Sequence, residues 1–180
     1  MKKALEGFAL IKPNEEYGSQ IKAYREEFRD CLDWMHGSGG LMQIADPEEW
    51  LRYVALCENP ETVPDHKPSC SQFIYLRLAD QKIVGMINVR HTHTEPFATW
   101  GGHVGYSVCP SERRKGYATQ MLRAVLPECK KLGLDRVLLT AGDENIASVK
   151  TIVANGGVLE GRVMSPKHHV MVGRYWIEIK

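Results

Sequence analysis

The stretch Val108-Cys109-Pro110-Ser111-Glu112-Arg113-Arg114-Lys115-Gly116-Tyr117-Ala118 concentrates the residue types that bind an anion. A strand-like run ends at a proline, and a strongly amphipathic helical pattern begins a few residues later. Between them lie three consecutive cations, then Gly116, then the small Ala118 two residues on. The start of a helix leaves about four backbone N–H groups without intrahelical partners. Those donors, with the positive end of the helix dipole, favour a phosphate by up to ~2 kcal/mol from the dipole alone. Gly116 removes a side chain where a phosphate would approach, and Ala118 nearly does the same. Arg113, Arg114 and Lys115 would each add a charge-assisted hydrogen bond of roughly 1.5–3 kcal/mol. For stability alone, acid rather than three cations belongs at the positive end of a dipole, so the placement points to a ligand. The pattern reads as a diphosphate cradle. It is neither a Walker loop (Gly-x-x-x-x-Gly-Lys, then Ser or Thr) nor a Gly-x-Gly-x-x-Gly dinucleotide turn.

Periodicity gives the elements that position this turn. Phe8-Ala9-Leu10-Ile11 reads as a first strand closed by Pro13-Asn14. From Glu15 to about His36 the apolar residues Ile21, Tyr24, Phe28, Leu32 and Met35 recur at helical spacing, until Gly37-Ser38-Gly39-Gly40 breaks the pattern. Asp46-Pro47-Glu48-Glu49 starts a second helix with an N-cap, a proline in the first turn and acid at the positive end, and Asn59-Pro60 ends it. Phe73–Leu78 and Ile83–Val89 flank a turn and predict an antiparallel hairpin. A fourth strand spans His103–Val108. The helix after the cradle carries Met121, Leu122, Val125, Cys129 and Leu132 on one stripe, with Pro127 expected to cost it a bond or kink it. Arg136–Thr140 is a strand, Asn145–Asn155 a short helix, and Val158–Met164 with Val170–Ile179 the closing strands.

Arg113-Arg114-Lys115-Gly116-Tyr117-Ala118 resembles the signature of the GNAT superfamily of acetyl-CoA-dependent N-acetyltransferases: Gln or Arg, two residues, Gly, one residue, then Gly or Ala. A strand and a proline lead into it as they do in that family, and the order of elements is similar from end to end. The resemblance implies an α/β fold with a central mixed, mostly antiparallel sheet. About seven strands and about four helices are expected, the number of such patterns in the chain, with strands four and five splayed to admit the cofactor. It implies a single N-acetyltransferase domain over residues 1–180.

The same resemblance implies acetyl-CoA as cosubstrate. Arg113, Arg114, Lys115, Gly116, Tyr117 and Ala118 would bind its pyrophosphate, and the backbone of Tyr106 and Val108 its pantetheine amides. Asn145-Ile146-Ala147-Ser148 resembles the family's Asn-x-x-(Ala or Ser), in which Asn145 and Ser148 would face the pantetheine; Asn145 would also satisfy a plain N-cap. Many relatives carry a tyrosine seven residues after this Asn to protonate the leaving thiolate, and here that position is Ile152. The reaction implied is direct attack of a neutral amine on the thioester carbonyl, with a strand N–H holding the oxyanion. The acceptor is an amine on a small molecule or peptide. The alternative is a non-catalytic acyl-CoA-binding module on the same fold.

The base is sought among groups that titrate near neutrality, which favours histidine. His103 starts the fourth strand on a face shared with Gly105 and Ser107, and it would act as base if that face looks into the substrate cleft. Glu95, in the preceding loop, is the rival. Cys109 as an acyl carrier lacks an identifiable base, and His91-x-His93 lacks a third ligand at local spacing, so no metal is expected.

Bulk properties narrow the remaining classes. A net charge of +1 gives no field for nucleic acid or an anionic membrane. Five widely spaced cysteines without a C-x-x-C pair read as reduced thiols, which points to a cytoplasmic protein. Met1-Lys2-Lys3 is not followed by an apolar signal region, and no run reaches the ~18 apolar residues of a membrane span. The sequence leaves oligomeric state open and is compatible with a homodimer.

Overall fold

A computed structural model describes residues 7–64, 67–92, 95, 97–166 and 169–180. Seven strands and four α-helices follow in the order β1 (Phe8–Ile11), α1 (Gly18–Cys31), α2 (Pro47–Glu58), β2 (Cys70–Arg77), β3 (Lys82–Arg90), β4 (Val104–Val108), α3 (Tyr117–Lys131), β5 (Arg136–Gly142), α4 (Ile146–Ala154), β6 (Val158–Ser165) and β7 (Val170–Glu178). The first four strands form one antiparallel ladder in the order β1-β2-β3-β4, and the last three form another in the order β5-β7-β6. The sheet therefore splits between β4 and β5, the two strands joined by the α3 crossover. This is the mixed, largely antiparallel α/β architecture expected, with its splay at the expected place.

The side-chain period of two sends alternate residues of the first sheet into two cores. One face buries Phe73, Tyr75, Ile87, Val89 and Val104 against Met121, Leu122, Val125 and Cys129 of α3 and Ile152 of α4. The other buries Ile74, Leu76, Met86 and Cys109 against Ile21, Tyr24 and Phe28 of α1 and Trp50 and Val54 of α2. Helix α3 runs unbroken through Pro127, which lies on the exposed side. The helix there forgoes the one bond that a proline cannot donate, as expected.

One helix boundary differs from the periodic pattern. Helix α1 ends at Cys31, not near His36, because Leu32 turns left-handed (φ 52°) and Asp33 N–H donates back to Phe28 O. The apolar spacing continued past Phe28, but Leu32 is 91% exposed and Met35 packs on the second core from the segment after the helix, so another turn had no apolar face to bury. The chain then reaches Gly37 (φ 68°), where a Cβ would sit 2.1 Å from the Gly105 carbonyl oxygen. Only glycine lets the two backbones meet there. Gln72 holds this loop in place through Nε2 to Gly37 O (2.9 Å), and Trp50 does so through Nε1 to Ser38 O (2.9 Å).

Candidate active site

The split leaves one edge of β4 without a strand partner. Cys109 N–H donates to Val84 O (2.9 Å) and His103 O accepts from Arg90 N–H (2.8 Å), so by register Gly105 and Ser107 between them spend their backbone groups on β3. Alternation turns the N–H and C=O groups of Val104, Tyr106 and Val108 toward the gap. The expected partners of an extended amide-bearing ligand thus stand on the open edge. The Val108 carbonyl there accepts Arg113 Nε at 3.3 Å.

At the end of β4 the chain makes a short turn over Pro110–Glu112 and then enters α3 with Gly116 as N-cap. Arg114 (φ 64°) and Gly116 (φ 81°) both occupy the left-handed region. For arginine that conformation stores strain of the kind retained at functional sites. No described backbone or side-chain group accepts from the amides of residues 114–119. A Cβ at Gly116 would meet only Gln120 Nε2, at 4.0 Å. The space it would enter is left clear by the protein and lies beside free donors, which fits an anionic group such as a phosphate.

The side chains of the three cations are arranged otherwise than the sequence led us to expect. Arg113 turns toward α1, with NH1 on Asp33 Oδ2 (2.7 Å) and its guanidinium over the Phe28 ring (5.4 Å). Lys115 Nζ binds Glu112 Oε2 at 2.8 Å. All three are exposed, but Arg114 forms no ion pair among the described residues. Two of the three charges thereby have acidic partners within the chain, which lessens their mutual repulsion at the helix start. The Tyr117 ring packs on Phe8 (5.1 Å), while Ala118 adds no bulk to the first turn of α3.

Across the gap, Asn145 Oδ1 accepts Ser148 N–H at 3.1 Å and so caps α4. Ser148 Oγ in turn pairs with the Tyr106 hydroxyl at 2.8 Å. This bond joins β4, one wall of the split, to the first turn of the helix that follows β5. Burial pushes the Tyr106 phenol up to about 12, against the pull of Ser148. Ile152, where the tyrosine of many relatives would stand, is fully buried in the core.

His103 is placed at the apex of the split. Its N–H donates to Leu138 O (2.7 Å), and its ring Nδ1 accepts Leu138 N–H (2.9 Å). The ring takes the part of a strand carbonyl and fastens β4 to β5 below the point where they diverge. It is 5% exposed and lies edge-on to Trp176 (6.1 Å). With Nδ1 accepting, the neutral ring carries its proton on Nε2, and no lone pair remains for a substrate proton. The face it shares with Gly105 and Ser107 is not an open cleft. Gly37 backs onto Gly105, and the Tyr24 hydroxyl donates to Ser107 O (3.0 Å). We expect His103→Asn, which can still accept from Leu138, to keep the wild-type pH profile of turnover. His103→Ala should lose about 1–3 kcal/mol of stability from the stranded N–H. Denaturation curves and rates from pH 6 to 9 check both; a large loss of turnover relieved at high pH in both variants would restore the base role.

The other candidates have structural partners. Glu95 accepts the Thr99 hydroxyl on both carboxylate oxygens (2.8 and 2.7 Å). Burial, with Glu27 nearby, raises the Cys109 thiol to about 12, which keeps it protonated. His91 Nε2 pairs with Ser71 Oγ (2.9 Å), and His93 lies outside the described residues. Among the described residues no group of three or more His, Cys, Asp or Glu side chains could hold a metal ion. No described helix is long and apolar enough to cross a membrane. Sequence reasoning passed over Glu112, Asp33 and Arg77, although an acid directly before three cations was a visible sign for the first.

Known proteins share this fold. The chain resembles the solved ribosomal-protein-S5-alanine acetyltransferase from Vibrio fischeri at a TM-score of 0.76 and 19% identity, covering 100% of this chain and 97% of that one. RimL, a ribosomal L7/L12 α-N-protein acetyltransferase in complex with coenzyme A, gives 0.72 and 16%, covering 99% and 97%. The microcin C7 self-immunity acetyltransferase MccE, in complex with acetyl-CoA and AMP, gives 0.70 and 14%, covering 97% and 93%. No curated protein matches by sequence. These likenesses concern the fold. The sequence itself matches the Acetyltransferase (GNAT) family over residues 22–154. That match spans both walls of the split and the cradle between them, and on its strength the chain belongs to the GNAT family of acetyltransferases.

Proposed function

We propose that this protein transfers the acetyl group of acetyl-CoA directly to an amine, with residues 1–180 acting as one N-acetyltransferase domain. The observation that carries the reading is the continuity of the open β4 edge with the unpartnered amides of residues 114–119. A ligand with an amide-bearing arm and a diphosphate matches both in the right order. Acetyl-CoA supplies the activated acetyl group; the chain supplies binding and orientation. The backbone of Tyr106 and Val108 holds the arm, and the amides up to Thr119 with the Arg114 guanidinium hold the diphosphate. Arg113 Nε leaves the Val108 carbonyl when the arm arrives. The hydroxyl pair of Tyr106 and Ser148 takes the place left by Ile152 and donates a hydrogen bond to the departing sulfur. A phenol at about 12 serves as a hydrogen-bond donor, not as a source of a free proton at neutral pH.

The acceptor is an amine that reaches the thioester from the side bounded by the segment after α1. Leu32 and Trp34 of that segment, 91% and 66% exposed, are apolar surface, and on this reading they favour an amine carried on a peptide or another partly apolar molecule over a bare polyamine. The test is release of free thiol from acetyl-CoA with an amine panel: alanine-initiated peptides, a polyamine and an aminoacylated nucleotide analogue. Turnover with a peptide amine and little with the polyamine is expected. Tight CoA binding without turnover of any amine would favour the non-catalytic acyl-CoA-binding module instead.

A further inference from the structure

Beneath the cradle lies a cluster of charges that neither binds the ligand nor belongs to a core. Glu112 is 5% exposed, yet three cations from three elements converge on its carboxylate. Arg77, at the end of β2, donates NH1 to Oε2 (2.9 Å) and NH2 to Oε1 (3.2 Å). Lys82, at the start of β3, lies 3.2 Å from Oε1, and Lys115 of the cradle 2.8 Å from Oε2. Arg77 is itself held by Asp80 (2.7 Å) and reaches the Tyr117 hydroxyl (3.4 Å) in the first turn of α3. On the α1 side, Glu27 accepts Ser111 N–H and the Ser111 hydroxyl, each at 3.1 Å.

This cluster is a poor device for stability alone, because apolar residues of similar volume generally serve as well as a buried ion network. What it provides is register. The loop above it contains two left-handed residues and unpartnered amides, and has no sheet or helix bonds to hold its shape. We propose that Glu112 is a positioning residue for the diphosphate: it locks the β2–β3 hairpin, Lys115 and the start of α3 into the geometry that aims the amides of residues 114–119. The proposal rests on the acetyl-CoA reading above and extends it to a residue that does not touch the ligand. Lys115, on this view, acts on the ligand through Glu112 and not as a phosphate contact.

Charge and geometry predict opposite signs, which makes the idea testable. Glu112→Gln removes a negative charge beside a bound diphosphate and frees Lys115; if charge ruled, CoA would bind more tightly. Positioning predicts the reverse, a rise of about tenfold or more in Kd for CoA and in KM for acetyl-CoA, with kcat nearly unchanged. Glu112→Asp keeps the charge but withdraws the carboxylate by one methylene, so it too should weaken CoA. The decisive readout is acetyl-pantetheine, which lacks the diphosphate: its turnover should be the same in both variants and the wild type. Unchanged or tighter CoA binding in folded Glu112→Gln overturns the proposal. So does an equal loss with acetyl-pantetheine, which would make Glu112 a general support of the fold. Should Glu112→Gln not fold, Glu112→Asp decides by the same readouts. A wild type that does not bind CoA at all would instead overturn the acetyl-CoA reading.

Discussion

Gly116→Val should raise the dissociation constant for CoA by about 10²-fold, the loss of two charge-assisted bonds between amides and phosphate. Two effects contribute and can be separated. Gly116 sits at φ 81°, where any L-residue is strained and a β-branched one more so. That strain acts on stability and should cost roughly 1–2 kcal/mol. Bulk is the second effect. Beyond its chain neighbours a Cβ here meets no protein atom nearer than 4.0 Å, so the added group extends into the space proposed for the ligand. Gly116→Ala carries most of the backbone strain with a single methyl, and the gap between Ala and Val in calorimetric affinity isolates steric exclusion. Both variants are to be shown folded by thermal denaturation before binding is compared. A folded Gly116→Val protein that binds CoA as the wild type does would remove the cradle from the start of α3.

Ser148→Ala should lower kcat by about 10²-fold, and Tyr106→Phe by about tenfold, with little change in KM for acetyl-CoA. The larger effect is assigned to Ser148 on the proposal that its Oγ donates to the sulfur while the Tyr106 hydroxyl, 2.8 Å away, polarises it. Groups that act as a unit lose their effect together, so the double variant should be no slower than Ser148→Ala alone. The sign of the pH dependence also follows. A phenol raised to about 12 stays protonated across pH 6–9, so Tyr106→Phe should scale the rate without altering the shape of its pH profile. If both variants lose thermal stability and keep kcat, the hydroxyl pair merely ties β4 to α4.

The sequence by itself determined the elements and the turn between β4 and α3, because both are local. Hydrophobic period distinguishes strand from helix within a dozen residues, and it located the seven strands and four helices with small errors at their ends. Asp46, Asn145 and Gly116 announce helix starts by what their own side chains, or the lack of one, do to adjacent backbone. The absence of a tyrosine at Ile152 was equally plain. What the tertiary structure alone decided was the partner of each charged or polar side chain that pairs with a distant part of the chain. Arg113 meets Asp33 across 80 positions, Tyr106 meets Ser148 across 42, and Arg77 meets Glu112 across 35. No periodicity encodes such pairs, since they form only when the hairpin, α1 and α3 have packed on their own apolar faces. His103 shows the consequence most clearly. Its residue type suggested a base near neutrality, but the fold brought Leu138 to its ring from 35 positions away. A buried N–H left without an acceptor is costly, and the imidazole was the acceptor within reach.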